Sequence, residues 1–96
     1  MDDKYLRDYR DMIEEDLKQT RRDILDMIDL IDALARVKRR YIGNDDPEPI
    51  DGYFDSIQRY RDNARRTLYK LISKSEQHEK TIRELDYEIE ALKYTE

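Results

Sequence analysis

From Phe54 to Leu92 the apolar and small residues step forward by three and four in strict alternation. With Phe54, Arg61, Leu68, Ser75, Ile82 and Ile89 at heptad position a, position d falls on Ile57, Ala64, Leu71, His78, Leu85 and Leu92. No Gly or Pro interrupts the run, so it predicts one long helix whose narrow stripe packs on another helix as in a coiled coil. The first part of the chain has the same character. At 100° per residue, Leu6, Ile13, Leu17, Thr20, Ile24, Ile28, Ile31, Ala35 and Ile42 share a narrow arc. The step from Ile24 to Ile28 to Ile31 inserts an extra four, a stutter that predicts local unwinding of a supercoil. A second stripe runs beside the first: Tyr5, Tyr9 and Met12 early, then Met27, Leu30, Leu34, Val37 and Tyr41. That face is wider than one neighbouring helix covers.

Between the helices lies Gly43-Asn44-Asp45-Asp46-Pro47-Glu48-Pro49-Ile50-Asp51-Gly52. Gly43 suits the left-handed residue that ends a helix, and the prolines forbid its continuation. Asp51 is placed to cap the second helix. The expected elements are a helix over about 3–41, a loop over about 43–52 and a helix over about 53–94, in a single domain spanning 1–96. At 1.5 Å per residue the helices measure roughly 58 and 64 Å, so a short loop folds them back antiparallel. The expected architecture is an all-α, antiparallel helical hairpin that dimerises into a four-helix bundle, with Met27, Leu30, Leu34, Val37 and Tyr41 as its protein interface. Acid-first pairs at i,i+4 (Asp3 with Arg7, Glu14 with Lys18, Asp32 with Arg36, Asp55 with Arg59, Asp62 with Arg66, Glu76 with Lys80, Glu79 with Arg83) favour solvated helical faces by about 0.2–0.5 kcal/mol each.

Composition sharpens this picture in one respect. Charged residues make up 45% of the 96 and apolar ones 38%, which leaves too little for a large core and suits a hairpin with a narrow buried seam. There is no cysteine, hence neither a disulfide framework nor thiolate chemistry. The start, Met1-Asp2-Asp3-Lys4-Tyr5-Leu6, lacks the basic-then-apolar pattern of a signal peptide. No apolar run approaches the roughly 20 residues that span a bilayer. The expectation is a cytoplasmic protein without membrane partners, although export that needs no signal peptide is compatible with the same residues.

Candidate chemistry is sparse. A turn centred near residue 47 places Asp16, Gln19 and Thr20 across from Ser75 and His78, a polar layer within an apolar seam. Asp16 and His78 could in principle hold a metal, but a lone His with no second His or Cys is a weak ligand set. The layer Asp16, Thr20, Ser75 and His78 is read instead as a device that fixes register. Asp23, Asp26, Asp29 and Asp32 rotate by -60° per step and cannot converge on one ion. The inward paired carboxylates of helical pyrophosphohydrolases are absent. The several buried bases of helical chorismate mutases are absent too, since only Arg61 and Lys38 lie near the seam. Without a Gly-rich phosphate loop or a nucleophile–base set, no catalytic residue, cofactor or metal is assigned.

Charge is segregated along the chain. Residues 1–16 carry seven acids and three bases, and 17–40 seven bases and four acids. Residues 41–55 carry five acids and no base, 56–74 six bases and one acid, and 75–96 three bases and seven acids. Folded antiparallel, this gives an acidic tip, a basic middle and an acidic base. The band of Arg36, Arg39, Arg40, Arg59, Arg65 and Arg66, with Lys38, Arg61, Lys70 and Lys74 around it, suits an acidic protein face. Phosphates are the alternative, disfavoured by the flanking acids and the net charge of -5. Eight tyrosines replace tryptophan: Tyr5, Tyr9, Tyr87 and Tyr94 gather at the terminal end, and Tyr41, Tyr53 and Tyr60 near the loop, as edge packing or interface residues.

Tyr41-Ile42-Gly43 stands where the W-x-G turn of the secreted WXG100 hairpins stands. The chain is similar to that family in length and in its two expected helices. It departs from it in having no Trp and in carrying Ala91, not an acid, four residues after Tyr87. The resemblance implies a secreted helical partner protein. The residues themselves favour a non-enzymatic helical protein-interaction module, a small adaptor, inhibitor or regulatory subunit of the kind that phage and mobile elements encode. A nucleic-acid-associated hairpin using the basic band is the alternative.

Overall fold

The computed structural model describes residues 3–43 and 53–94. It is all-helical: α1 runs over Lys4–Gly43 and α2 over Tyr53–Tyr94. The expected cap at Asp51, the prolines and the acidic tip lie outside the described residues, as do the side chains of Tyr41, Tyr53 and Phe54. The helices pack against each other along a rod with extents of 76 × 14 × 14 Å. Bridges from Arg10 to Asp86 and from Lys38 to Gln58 show that they run antiparallel. Asp3 begins α1: its carbonyl accepts the Arg7 N–H at 3.0 Å, and its carboxylate meets the Arg7 guanidinium at 2.8 Å. Asp55 in the first turn of α2 and the cations Arg40 and Lys93 in the last turns oppose the helix dipoles.

The seam follows one rule in both helices. In α1 the seam runs through Leu6, Arg10, Ile13, Leu17, Thr20, Ile24, Met27, Ile31, Leu34 and Lys38 in steps of four and three, with Glu14, Asp23, Ala33, Ala35 and Val37 half-buried beside it. In α2 it runs through Ile57, Arg61, Ala64, Leu68, Leu71, Ser75, His78, Ile82, Leu85, Ile89 and Leu92, as the heptads predict, with Gln58, Asp62, Ile72, Glu79, Thr81 and Ala91 half-buried beside it. The deepest are Ile13, Leu17, Thr20, Ile57 and Ala64.

The expected stutter is absent. Met27 takes the seam position and Ile28 is left 40% exposed. A wheel drawn at 100° per residue falls about 20° behind a seven-residue repeat in every heptad. By the third heptad that drift brings Ile28 and Ala35 onto the arc and pushes Met27 and Leu34 off it. A helix that winds to stay against its neighbour follows the repeat and not the straight wheel.

The residues of the expected interface divide between the seam and the surface. Met27 and Leu34 belong to the hairpin's own seam and are half-buried, whereas Leu30 is 42% exposed and Val37 half-buried beside it. The polar pairs are corrected as well. Of the i,i+4 pairs expected, Asp3 with Arg7 forms, but Lys18 turns to Glu15 and Glu14 to Arg10. Glu79 crosses to Arg21 on the other helix. Long, exposed side chains gain little from any one partner and settle where a second carboxylate or a neighbouring helix adds to the first.

Candidate functional site

The polar layer is smaller than its sequence suggested. Thr20 is 1% exposed, and its hydroxyl donates to the Asp16 carbonyl at 2.8 Å, so the buried hydroxyl is satisfied within its own helix. Ser75, half-buried, donates likewise to the Ile72 carbonyl at 2.9 Å. Half-buried His78 has an enclosed Nε2 with no hydrogen-bond partner. The Asp16 side chain is exposed and lies outside this group. A turn centred on residue 47 sets the levels slightly wrong: Arg10, Lys38 and Arg21 reach Asp86, Gln58 and Glu79, each further along α2 than that symmetry gives. Among the described residues no three His, Cys, Asp or Glu side chains gather as a metal-ligand group.

Two flanks border the seam. On the first lie the residues that follow each d position: Arg21, Ile28 and Ala35 of α1, with Gln58, Arg65, Ile72, Glu79 and Asp86 of α2. The polar bridges between the described residues of the two helices all fall here. Arg10 Nε donates to Asp86 Oδ1 at 2.7 Å and its Nη1 to Glu14 at 2.7 Å. The hydrogen bond it donates to Asp86, more than the charge of that carboxylate, holds the Arg10 proton still more firmly than usual. Arg21 meets Glu79 at 3.1 Å. Lys38 Nζ donates to Gln58 Oε1 at 3.2 Å, and Gln58 Nε2 to Asp62 at 2.9 Å. An open groove of about 310 Å³ beside the Arg21–Glu79 bridge is lined by Glu14, Leu17, Lys18 and Ile82 among others.

The second flank holds the residues that precede each a position: Tyr9, Asp16, Asp23, Leu30 and Val37, with Tyr60, Thr67, Lys74, Thr81 and Glu88. Its hydrogen bonds stay within one helix, as when Gln19 Nε2 donates to Asp23 at 2.9 Å and Thr81 Oγ1 to the Gln77 carbonyl at 2.9 Å.

The basic band divides by helix. Arg59, Arg65, Arg66, Lys70 and Lys74 are exposed along α2, and Arg36, Arg39 and Arg40 along α1 near the loop. Opposite the α2 bases, α1 presents exposed Asp26, Asp29 and Asp32. The middle of the rod is therefore basic on one side and acidic on the other, not basic all round. None of the eight bases has an ion pair among the described residues, whereas the ion pairs that do form join residues of the terminal half. At neighbouring levels along the rod, Leu25 is 62%, Ile28 40%, Tyr60 67% and Tyr69 68% exposed. The expected tyrosine cluster at the terminal end is outward-facing too, with Tyr5, Tyr9, Tyr87 and Tyr94 exposed.

Sequence reading passed over Arg10, Leu25 and Tyr69, and it set Ile28 on the buried arc. Continuing the α1 heptads through Leu6, Arg10 and Ile13 would have seated Arg10 in the seam. It would also have turned Leu25 and Ile28 outward. No helix among the described residues is long and apolar enough to cross a membrane. No known family, curated protein or solved structure matches this chain.

Proposed function

We propose that this chain is a non-enzymatic protein-interaction module, a small adaptor, inhibitor or regulatory subunit that acts as a homodimer and grips an acidic protein with its loop half. One observation carries the reading: among the described residues Arg59, Arg65 and Arg66 have no ion pair, and Leu25, Ile28 and Tyr69 stand exposed at neighbouring levels of the rod. Exposed bases around apolar and aromatic side chains combine long-range attraction with a patch worth burying. Tyrosine contributes area at low ordering cost, and arginine clasps carboxylates with two parallel hydrogen bonds.

The test is capture of partners by the tagged chain, identified by mass spectrometry and compared between two charge reversals. Arg59→Glu with Arg65→Glu and Arg66→Glu should remove the partner at low salt and leave the helical circular dichroism intact. Reversing Lys18 and Lys93 in the terminal half should leave capture unchanged. Equal loss in both variants, or in neither, overturns the reading.

A second reading rests on the same α2 surface. Arg59, Arg66 and Lys70 interleaved with Tyr60 and Tyr69 offer phosphate contacts and stacking faces, and tight binding of a short duplex or single strand by the parent chain would favour it.

A further inference from the structure

The two flanks differ in a way that points to the arrangement of the dimer. The first is tied across by Arg10–Asp86, Arg21–Glu79 and Lys38–Gln58. The second has no such tie among the described residues, and its charge is concentrated in the middle. Exposed Asp26 and half-buried Asp23 lie on α1, and exposed Lys70 and Lys74 lie on α2, all without an ion pair among the described residues. Beyond them toward the loop come Leu30, Val37 and Tyr60, and toward the termini Tyr9 and Met12.

We infer that a second copy of this chain docks on the second flank with both rods pointing the same way, so that α1 of each copy lies against α2 of the other. The inference rests on the interaction-module reading above and specifies its dimer. Two hairpins laid face to face have two symmetric choices. A two-fold axis along the rods pairs α1 with the partner's α2 at equal levels. A two-fold axis across the rods pairs α1 with α1 in opposite directions.

The levels follow from the bridges within one hairpin. They set Asp23 beside Lys74, Asp26 beside Lys70, Gln19 beside Gln77, Leu30 beside Thr67 and Val37 beside Tyr60. With the axis along the rods, the same correspondences recur between the copies. Two acids per chain then face two lysines of the partner at the centre, and the apolar residues near the loop meet each other. With the axis at the level of this charge cluster, the crossed arrangement brings Asp23 and Asp26 of the two copies together and leaves the lysines facing one another. Like charges in apposition disfavour it. A foreign helix could satisfy this flank only by carrying the same charge order at the same spacing, which a second copy already has.

The test uses the full chain, which has no native cysteine. Light scattering at tens of micromolar should give a dimer. A nitroxide on Val37→Cys should then report a short distance between the two labels in double electron–electron resonance. The crossed arrangement would separate them by about 40 Å at 1.5 Å per residue. Lys70→Glu with Lys74→Glu should weaken the dimer about tenfold at low salt, and adding Asp23→Lys and Asp26→Lys should restore it. A long label distance, or a swap that fails to restore the dimer, overturns the inference. So does a monomeric parent. The charge-reversal capture experiment on Arg59, Arg65 and Arg66 is read separately, so loss of the dimer geometry and loss of the interaction-module reading remain distinguishable.

Discussion

The terminal half and the loop half of this rod share one seam and differ in everything beside it. Around Ile13, Leu17 and Thr20 the flanking charges are consumed within the chain, with Arg10 set among Asp11, Glu14 and Asp86 and with Arg21 bridged to Glu79. Around Ile57 and Ala64 the bases have no ion pair among the described residues, where Lys38 finds only the neutral Gln58. Arg61, in the seam, keeps an enclosed Nε with no hydrogen-bond partner. A buried donor left without a partner costs roughly 1–3 kcal/mol. The comparison teaches that a coiled-coil seam sets where two helices meet but not which stretch is self-sufficient. Here the flanks decide it: one half closes on itself, and the other keeps apolar and cationic groups available.

The sharpest break in that comparison is a cavity in the closed half. Leu17 is 5% exposed, and Leu17→Ala should destabilise the hairpin by about 2–4 kcal/mol through lost transfer energy and an unfilled seam. Leu25→Ala in the open half should change it by no more than about 0.5 kcal/mol, as surface substitutions do. Urea unfolding followed by circular dichroism measures both, and similar losses would mean that Leu25 is covered in the free chain.

His78 comes next in size. Its Nε2 is enclosed without a partner, so His78→Leu should leave the unfolding midpoint unchanged or raise it by the equivalent of about 1 kcal/mol. Partner capture should persist. Loss of capture with the fold intact would turn His78 from a seam residue into a binding residue. Thr20→Val, which removes a hydroxyl already satisfied by the Asp16 carbonyl, should cost about 1 kcal/mol or less.

How much of this was legible follows from what periodicity measures. The heptads of α2 placed its seam correctly from Ile57 to Leu92, because a seven-residue repeat in the residues is itself the signature of a winding pair. In α1 the same repeat was present, but a straight wheel hid it and moved Met27 and Leu34 to the surface. Thr20 and His78 were found because polar residues interrupt an apolar stripe. Asp16 was drawn in by an assumed turn centre, and its side chain faces solvent. The division between paired and unpaired charge was not legible at all. Arg10 and Arg59 are alike as letters, and what separates them is which side of which helix the partner carboxylate occupies.

The smallest effect tests the closed half's polar flank. Arg21 and Glu79 sit 3.1 Å apart with side chains 58% and 43% exposed, so water competes at both ends and ordering two long side chains offsets much of the attraction. A double-mutant cycle with Arg21→Ala and Glu79→Ala should therefore yield a coupling of about 0.2–1 kcal/mol. Raising ionic strength from about 0.05 to 0.5 M should shrink it, because the Debye length falls well below 10 Å over that range. The corresponding cycle in the open half, Arg66→Ala with Asp62→Ala, should give no coupling at either ionic strength, since Asp62 is engaged by Gln58 and Arg66 by no carboxylate among the described residues. A coupling at Arg66 as large as that at Arg21 would mean that both halves consume their charges alike, and the contrast between them would have to be abandoned.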